Sequence, residues 1–76
     1  MNTLYHPQYR IMIERLVQAR KEAGLTQIEV AEKMGKTQGS VSKIEHCQKR
    51  VDILELMRFS ELYRIDPLEI LQAKRD

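Results

Sequence analysis

The apolar residues of this chain recur at intervals of three or four, and no segment alternates with the period of two that is typical of a β-strand. The first apolar stripe consists of Met12, Leu16, Ala19 and Ala23. Three later stripes consist of Val30, Ala31 and Met34; of Val41 and Ile44; and of Ile53, Leu56, Ser60 and Tyr63. This spacing predicts an all-α fold in which each stripe faces the core.

Capping signals predict where the helices begin and end. The residues that suit a helix N-terminus are Thr26, Thr37, Asp52 and Asp66 as caps, and Pro7 and Pro67 as first helical residues. Glutamates three residues after Thr26 and Asp52 complete the pattern of a capping box. Gly24 and Gly35 suit the left-handed conformation that ends a helix. The sequence therefore predicts five helices with short connections.

The length and composition fit one small globular domain that spans residues 1–76, with frayed ends at residues 1–6 and 73–76. No apolar run approaches the roughly 18 residues that would suggest a membrane span. Residues 1–10 lack the basic and apolar segments of a secretion signal. The single cysteine, Cys47, cannot form an internal disulfide and fits a reducing compartment. We therefore expect a cytoplasmic protein without membrane contact.

The charged residues are unevenly distributed, although the net charge is only +2. Residues 33–50 hold five basic residues against Glu45 alone, whereas residues 51–71 hold five acidic residues against two basic ones. This separation predicts that one end of the fold is positive, as expected of a surface that binds a polyanion. A solvated charged surface is the alternative.

The most informative segment is 27–46, where two short predicted helices are joined by Gly35, Lys36 and Thr37. Helices with so short a connection cross steeply, and Ala31 is small enough for a close approach. This is the pattern of a helix-turn-helix, whose second helix can enter a DNA major groove. A generic pair of helices would explain the apolar positions equally well.

The outward face of the second helix in this pair favours DNA binding over a generic helix pair. Its residues are Gln38, Gly39, Ser40, Ser42 and Lys43, and none of them is acidic or large and apolar. Glutamine can bind adenine through two hydrogen bonds, lysine can reach guanine acceptors, and serine can bind bases or phosphates.

The segment from Leu16 to Leu71 resembles the lambda-repressor-like (Cro-type) helix-turn-helix DNA-binding family. The residues that follow the family pattern are Leu25-Thr26-Gln27, Val30-Ala31-Glu32-Lys33-Met34-Gly35, Gln38 and Ser40-Val41-Ser42-Lys43-Ile44-Glu45. The resemblance implies a compact five-helix domain with the helix-turn-helix at the second and third helices.

The resemblance also implies roles for individual residues. The residues expected to contact bases are Gln38, Gly39, Ser42 and Lys43, and those expected near the DNA backbone are Gln27, Thr37 and Ser40. Gln38 is expected to contact Gln27 as well as a base. Arg20 and Glu45 match an internal ion pair that ties the first helix to the third, whereas a solvated Arg20 is the alternative.

Three residues depart from the family pattern. Lys36 stands where an apolar residue is usual, and we expect its stem to cover the core while its ammonium group reaches a phosphate. Cys47 replaces a glycine and Val51 replaces a proline. These two departures leave open the path of the connection that carries Lys49 and Arg50, which are further candidates for contacts with the DNA backbone.

We expect neither a metal site, nor a cofactor, nor an enzyme. His46 and Cys47 are adjacent in the chain, and no second pair of cysteine or histidine residues has the spacing of metal ligands. The sequence also contains no arrangement of nucleophile and base, and no glycine-rich loop that could hold a phosphate.

The last two helices carry more apolar residues than one core face requires. The surplus is drawn from Leu54, Met57, Leu62, Leu68, Ile70 and Leu71. Surplus apolar surface favours a homodimer through the fourth and fifth helices, with packing inside the bundle as the alternative.

The sequence therefore predicts a sequence-specific regulator of transcription that binds double-stranded DNA as a homodimer on a palindromic site. It looks like a phage-type repressor, a restriction–modification controller or an antitoxin, and a toxin or polymerase is a possible protein partner. The alternative is a helical protein-interaction module that has kept the fold without binding DNA.

Overall fold

The computed structural model describes residues 3–71 and contains five α-helices and no strand within them. The helices are α1 (Pro7–Glu22), α2 (Gln27–Met34), α3 (Gln38–Glu45), α4 (Ile53–Tyr63) and α5 (Pro67–Leu71). A short 3-10 turn, Thr3–Tyr5, precedes α1. The predicted all-α, five-helix fold is confirmed. In the described part of the chain, no helix is long and apolar enough to cross a membrane.

The predicted capping boxes form the N-termini of α2 and α4. The hydroxyl of Thr26 accepts a hydrogen bond from the backbone N–H of Glu29, whose carboxylate in turn accepts one from the N–H of Thr26. Asp52 and Glu55 make the same reciprocal pair. These bonds satisfy N–H groups that have no partner inside a helix, and therefore fix where each helix begins.

One face of each helix forms a common core. The buried apolar residues are Ile13, Leu16, Ala19, Val30, Ala31, Met34, Val41, Ile44, Leu56, Phe59, Tyr63 and Ile70. α2 and α3 pack against each other, and α1 contacts α3, α4 and α5. The long first helix therefore contacts α3 and both of the last two helices, while α2 packs on α3.

The predicted core stripes are wrong at two helix ends. Ala23 is exposed, whereas Met12 is half-buried and packs against the core, and Ile13 beside it is buried. Ile53 is 64% exposed, and Phe59 is buried in the core of α4. Ala23 follows the end of α1 and Ile53 is the first residue of α4, so helical spacing alone does not carry them into the core. Of the surplus apolar residues, Ile70 is buried and Leu62 is half-buried.

The segment before α1 is ordered, so the prediction that residues 3–6 fray is wrong. His6 caps α1, because its Nδ1 accepts a hydrogen bond from the N–H of Gln8. The guanidinium group of Arg10 lies 5.6 Å from the centre of the Tyr5 ring, within the range of a cation–π contact. Residues 1, 2 and 72–76, which include the predicted frayed end at 73–76, lie outside the described residues.

A residue with a positive φ angle stands at or just after the end of each of the helices α1 to α4. The sequence indicated only two of these four positions. Gly24 and Gly35 have φ angles of 74° and 66° as predicted, whereas Cys47 and Arg64 have φ angles of 57° and 58°. Cys47 closes α3 with the hydrogen bond from the N–H of Gln48 to the carbonyl of Lys43, at 2.8 Å. The connection after α3 therefore follows the path that a glycine would give, although it holds a cysteine.

We expect Arg64→Gly to stabilise the protein by about 1 kcal/mol, because a residue with a Cβ is strained at this backbone conformation. The gain is the relief of strain less the extra conformational entropy of glycine in the unfolded chain. Urea unfolding followed by circular dichroism measures it. Arg64→Ala is the control, since it removes the same side chain but keeps the strain, and an equal gain in both variants would contradict the explanation.

Candidate nucleic-acid interface

The turn between α2 and α3 is built from local hydrogen bonds. Gly35 takes the left-handed conformation, and the N–H of Lys36 donates to the carbonyl of Ala31 at 2.9 Å. The hydroxyl of Thr37 then accepts a hydrogen bond from the N–H of Ser40 at 3.1 Å, which starts α3. This three-residue turn sets the angle between the two helices.

α3 has a buried face and an exposed polar face. Val41 and Ile44 are buried against the core, whereas the residues at its N-terminal half are exposed or half-buried: Gln38 and Gly39 are exposed and Ser40 is half-buried. A Cβ atom added at Gly39 would meet nothing within 4 Å. The absence of a side chain there is therefore not required by the fold, and leaves the start of α3 open to a close approach from outside.

A chain of hydrogen bonds connects the exposed end of α3 to α1. The amide nitrogen of Gln38 donates to the Oε1 atom of Gln27 at 2.8 Å, and the amide nitrogen of Gln27 donates to the Oε1 atom of Glu45 at 2.9 Å. Glu45 accepts two further hydrogen bonds from Arg20, at 2.7 Å and 3.1 Å. The side chain of Gln38 is therefore held in place by residues of three helices.

The ion pair between Arg20 and Glu45 lies largely out of solvent. The Arg20 and Glu45 side chains are only 11% and 5% exposed. The remaining end of the guanidinium group donates to the carbonyl of Leu25 at 2.8 Å. The hydrogen bond to Glu45 raises the pKa of Arg20, although burial acts in the opposite direction. This pair joins α1 to α3 and to the loop before α2.

The connection between α3 and α4 forms hydrogen bonds with α3 and with α1. The ammonium group of Lys49 donates to the hydroxyl of Ser40 at 3.2 Å, which brings Lys49 to the exposed side of α3. The N–H of Val51 donates to the hydroxyl of Tyr9 at 3.1 Å, a bond that a proline at position 51 could not make. Burial raises the pKa of Tyr9. Arg50 is exposed on this connection.

Lys36 has a partner within the protein that the sequence did not indicate. Its ammonium group forms an ion pair with the carboxylate of Glu55 on α4, and both side chains are mostly buried. Burial acts to raise the pKa of Glu55, but the hydrogen bonds from Lys36 and from the N–H of Asp52 outweigh it and lower that pKa. Lys36 therefore fastens the turn to α4 instead of directing its charge to solvent.

The C-terminal end of α3 has its own short contacts. The Nδ1 atom of His46 lies 2.8 Å from the carbonyl oxygen of Ser42 and 3.3 Å from its hydroxyl. A proton on Nδ1 can therefore be donated to this carbonyl group. Lys43 on the same helix is exposed. Within residues 3–71, His, Cys, Asp and Glu side chains form no group that could hold a metal ion.

Gln27 and Lys49 are both hydrogen-bonded to residues on the exposed side of α3. A family model described as helix-turn-helix matches residues 16–70, which is more than half of the chain. The chain belongs to the lambda-repressor-like helix-turn-helix family. Membership of this family indicates a DNA-binding regulator. No curated protein and no solved structure matches this helix-turn-helix chain significantly.

Two residues of this region were not indicated by the sequence. Tyr9 holds the connection after α3 at Val51, and Glu55 holds the turn at Lys36. The only sequence signal of the contact between Tyr9 and Val51 was the valine, which stands where the family usually has a proline. The ion pair between Lys36 and Glu55 had no sequence signal, because the two residues are far apart in the chain.

Proposed function

We propose that this helix-turn-helix protein regulates transcription by binding double-stranded DNA at a palindromic site as a homodimer. The observation that supports this function most directly is the exposed N-terminal half of α3, where Gln38 is fixed by Gln27 and no side chain stands at Gly39. A recognition helix reads base edges with its N-terminal residues, so an exposed and rigidly held polar end suits this task.

The proposal divides the contact residues by what they can reach. The residues proposed to contact base edges are Gln38, Gly39, Ser42 and Lys43. Those proposed to contact the DNA backbone are Gln27, Thr37, Ser40, Lys49 and Arg50. Since the ammonium group of Lys36 is engaged by Glu55, we propose that Lys36 acts by positioning the turn.

An apolar surface on the last two helices supports the proposed homodimer. This α4–α5 face consists of Ile53, Leu54, Met57, Leu68 and Leu71, whose exposed fractions are 64%, 63%, 53%, 55% and 44%. Five large apolar side chains exposed on two consecutive helices of a small protein suit an interface between two copies. A two-fold dimer would present its two α3 helices to half-sites about 10 bp apart.

The test separates sequence reading from electrostatic attraction. Gln38→Ala should lower affinity for the specific duplex by about 1–3 kcal/mol and relax preference at one or two base pairs, because it removes a base contact. Lys49→Ala should weaken binding to specific and scrambled duplexes alike and reduce the salt dependence by about one unit per subunit, because phosphate contacts release counterions.

The duplexes come from selection by the wild-type protein out of a random pool, followed by titration of each variant at several salt concentrations. If Gln38→Ala weakens the specific and scrambled duplexes equally, then α3 is not the reading helix. If the wild-type protein enriches no sequence and does not bind random duplex DNA, the fold serves protein interaction instead.

A further inference from the structure

Three side chains, those of Gln27, Glu45 and Arg20, link Gln38 to α1, and their hydrogen bonds run in a fixed direction. Glu45 is at the inner end, where Arg20 holds its carboxylate through two hydrogen bonds. Gln27 is in the middle and Gln38 is at the outer, exposed end. The direction of this chain determines which atoms Gln38 can offer to a ligand.

The direction follows from the chemistry of the carboxylate. An ionised carboxylate only accepts hydrogen bonds, so Gln27 must turn its NH₂ group toward Glu45. The amide oxygen of Gln27 then faces Gln38, which must turn its own NH₂ group toward Gln27. A reversed amide at Gln27 would place its oxygen against the Glu45 carboxylate and lose the hydrogen bond.

The free edge of Gln38 therefore carries one acceptor and one donor in a set order. Its Oε1 atom is available to accept, and the second N–H of its amide is available to donate. Adenine presents a donor at N6 and an acceptor at N7 in the major groove, whereas guanine presents acceptors at both O6 and N7. A fixed amide matches adenine with two hydrogen bonds, but only a reversed amide could donate to the O6 atom of guanine.

We propose that Glu45 is a specificity-determining residue, which acts through Gln27 to fix the amide of Gln38 so that the protein selects adenine over guanine at the base pair that Gln38 contacts. This inference rests on the proposed function, because it concerns the same exposed end of α3. Glu45 is a positioning residue in this role, since its own carboxylate is held by Arg20 and Gln27.

The first test variant is Glu45→Gln. A glutamine at position 45 can donate as well as accept, so it tolerates both orientations of the Gln27 amide and hence of the Gln38 amide. Parallel selections from a random duplex pool identify the base pair that the wild-type protein selects and that Gln38→Ala no longer selects. At this pair we expect the wild type to favour adenine over guanine by about tenfold, and Glu45→Gln to bring the ratio close to one.

The second variant, Gln27→Met, keeps the ion pair between Arg20 and Glu45 and removes only the link to Gln38. It decides the question if Glu45→Gln does not fold, as monitored by circular dichroism. If Gln27 only contacted a phosphate, the variant would weaken binding to the adenine and guanine duplexes equally. The proposal instead expects it to lower the ratio between the two. Glu32→Gln is the control, because it makes the same charge change at an exposed residue of α2.

The outcomes separate this inference from the proposed function. If the wild-type protein enriches a site and the folded variants keep the adenine preference at that site, the role of Glu45 is contradicted and the proposed function is not. The same conclusion follows if the base pair that depends on Gln38 is not an adenine pair. A wild-type protein that enriches no sequence would overturn the proposed function, and this inference with it.

Discussion

Replacing Glu45 with alanine is expected to lower the free energy of unfolding by about 3–5 kcal/mol, because it leaves a buried charge without its partner. The Arg20 side chain is only 11% exposed, and after the substitution it would keep a single described acceptor, the carbonyl of Leu25. Gln27 would lose its acceptor as well. This loss is a large part of the stability of a small domain, so the melting temperature should fall by more than about 10 °C.

Thermal unfolding followed by circular dichroism measures this effect. Glu32→Ala is the matched control, since it removes an exposed glutamate from α2 and should change stability by less than about 0.5 kcal/mol. Equal melting curves for the wild type and Glu45→Ala would contradict the view that this ion pair holds α1 and α3 together.

Replacing Leu54 with aspartate is expected to dissociate the proposed homodimer and to weaken binding to the palindromic duplex by about a hundredfold or more. The reason is that two linked recognition helices bind their half-sites with a high effective concentration, which a monomer loses. Leu54 is 63% exposed, so the substitution should leave the fold of the single chain intact. Sedimentation equilibrium at micromolar concentration and titration with the selected duplex measure the two effects.

Ile28→Asp is the control for the sedimentation measurement. Ile28 is 60% exposed on α2, outside the α4–α5 face, so its replacement should not change the oligomeric state. A wild-type protein that is monomeric with and without DNA would contradict the homodimer. A dimer that persists in Leu54→Asp would place the interface on another surface.

The sequence by itself determined the number of helices and most of their boundaries. Thr26 and Asp52 begin α2 and α4 as predicted, and Gly35 ends α2. These features depend on hydrogen bonds and backbone preferences among residues at most a few positions apart, so they can be recognised in a short stretch of sequence. The resemblance of residues 27–46 to the family pattern also predicted the helix-turn-helix, because that pattern reflects the residues that recur in helix-turn-helix domains.

Only the tertiary structure decided how distant residues meet. The hydrogen bond between Val51 and Tyr9 joins residues 42 positions apart, and the ion pair of Lys36 with Glu55 joins residues 19 positions apart. The exposure of Ile53 was likewise decided by where the first turn of α4 lies relative to the core. Helical periodicity states which residues share a face, but the partner of that face depends on the packing angles of the whole bundle. The partners of Lys36 and Tyr9 and the exposure of Ile53 therefore follow from the assembled helices and not from the spacing of residues along the chain.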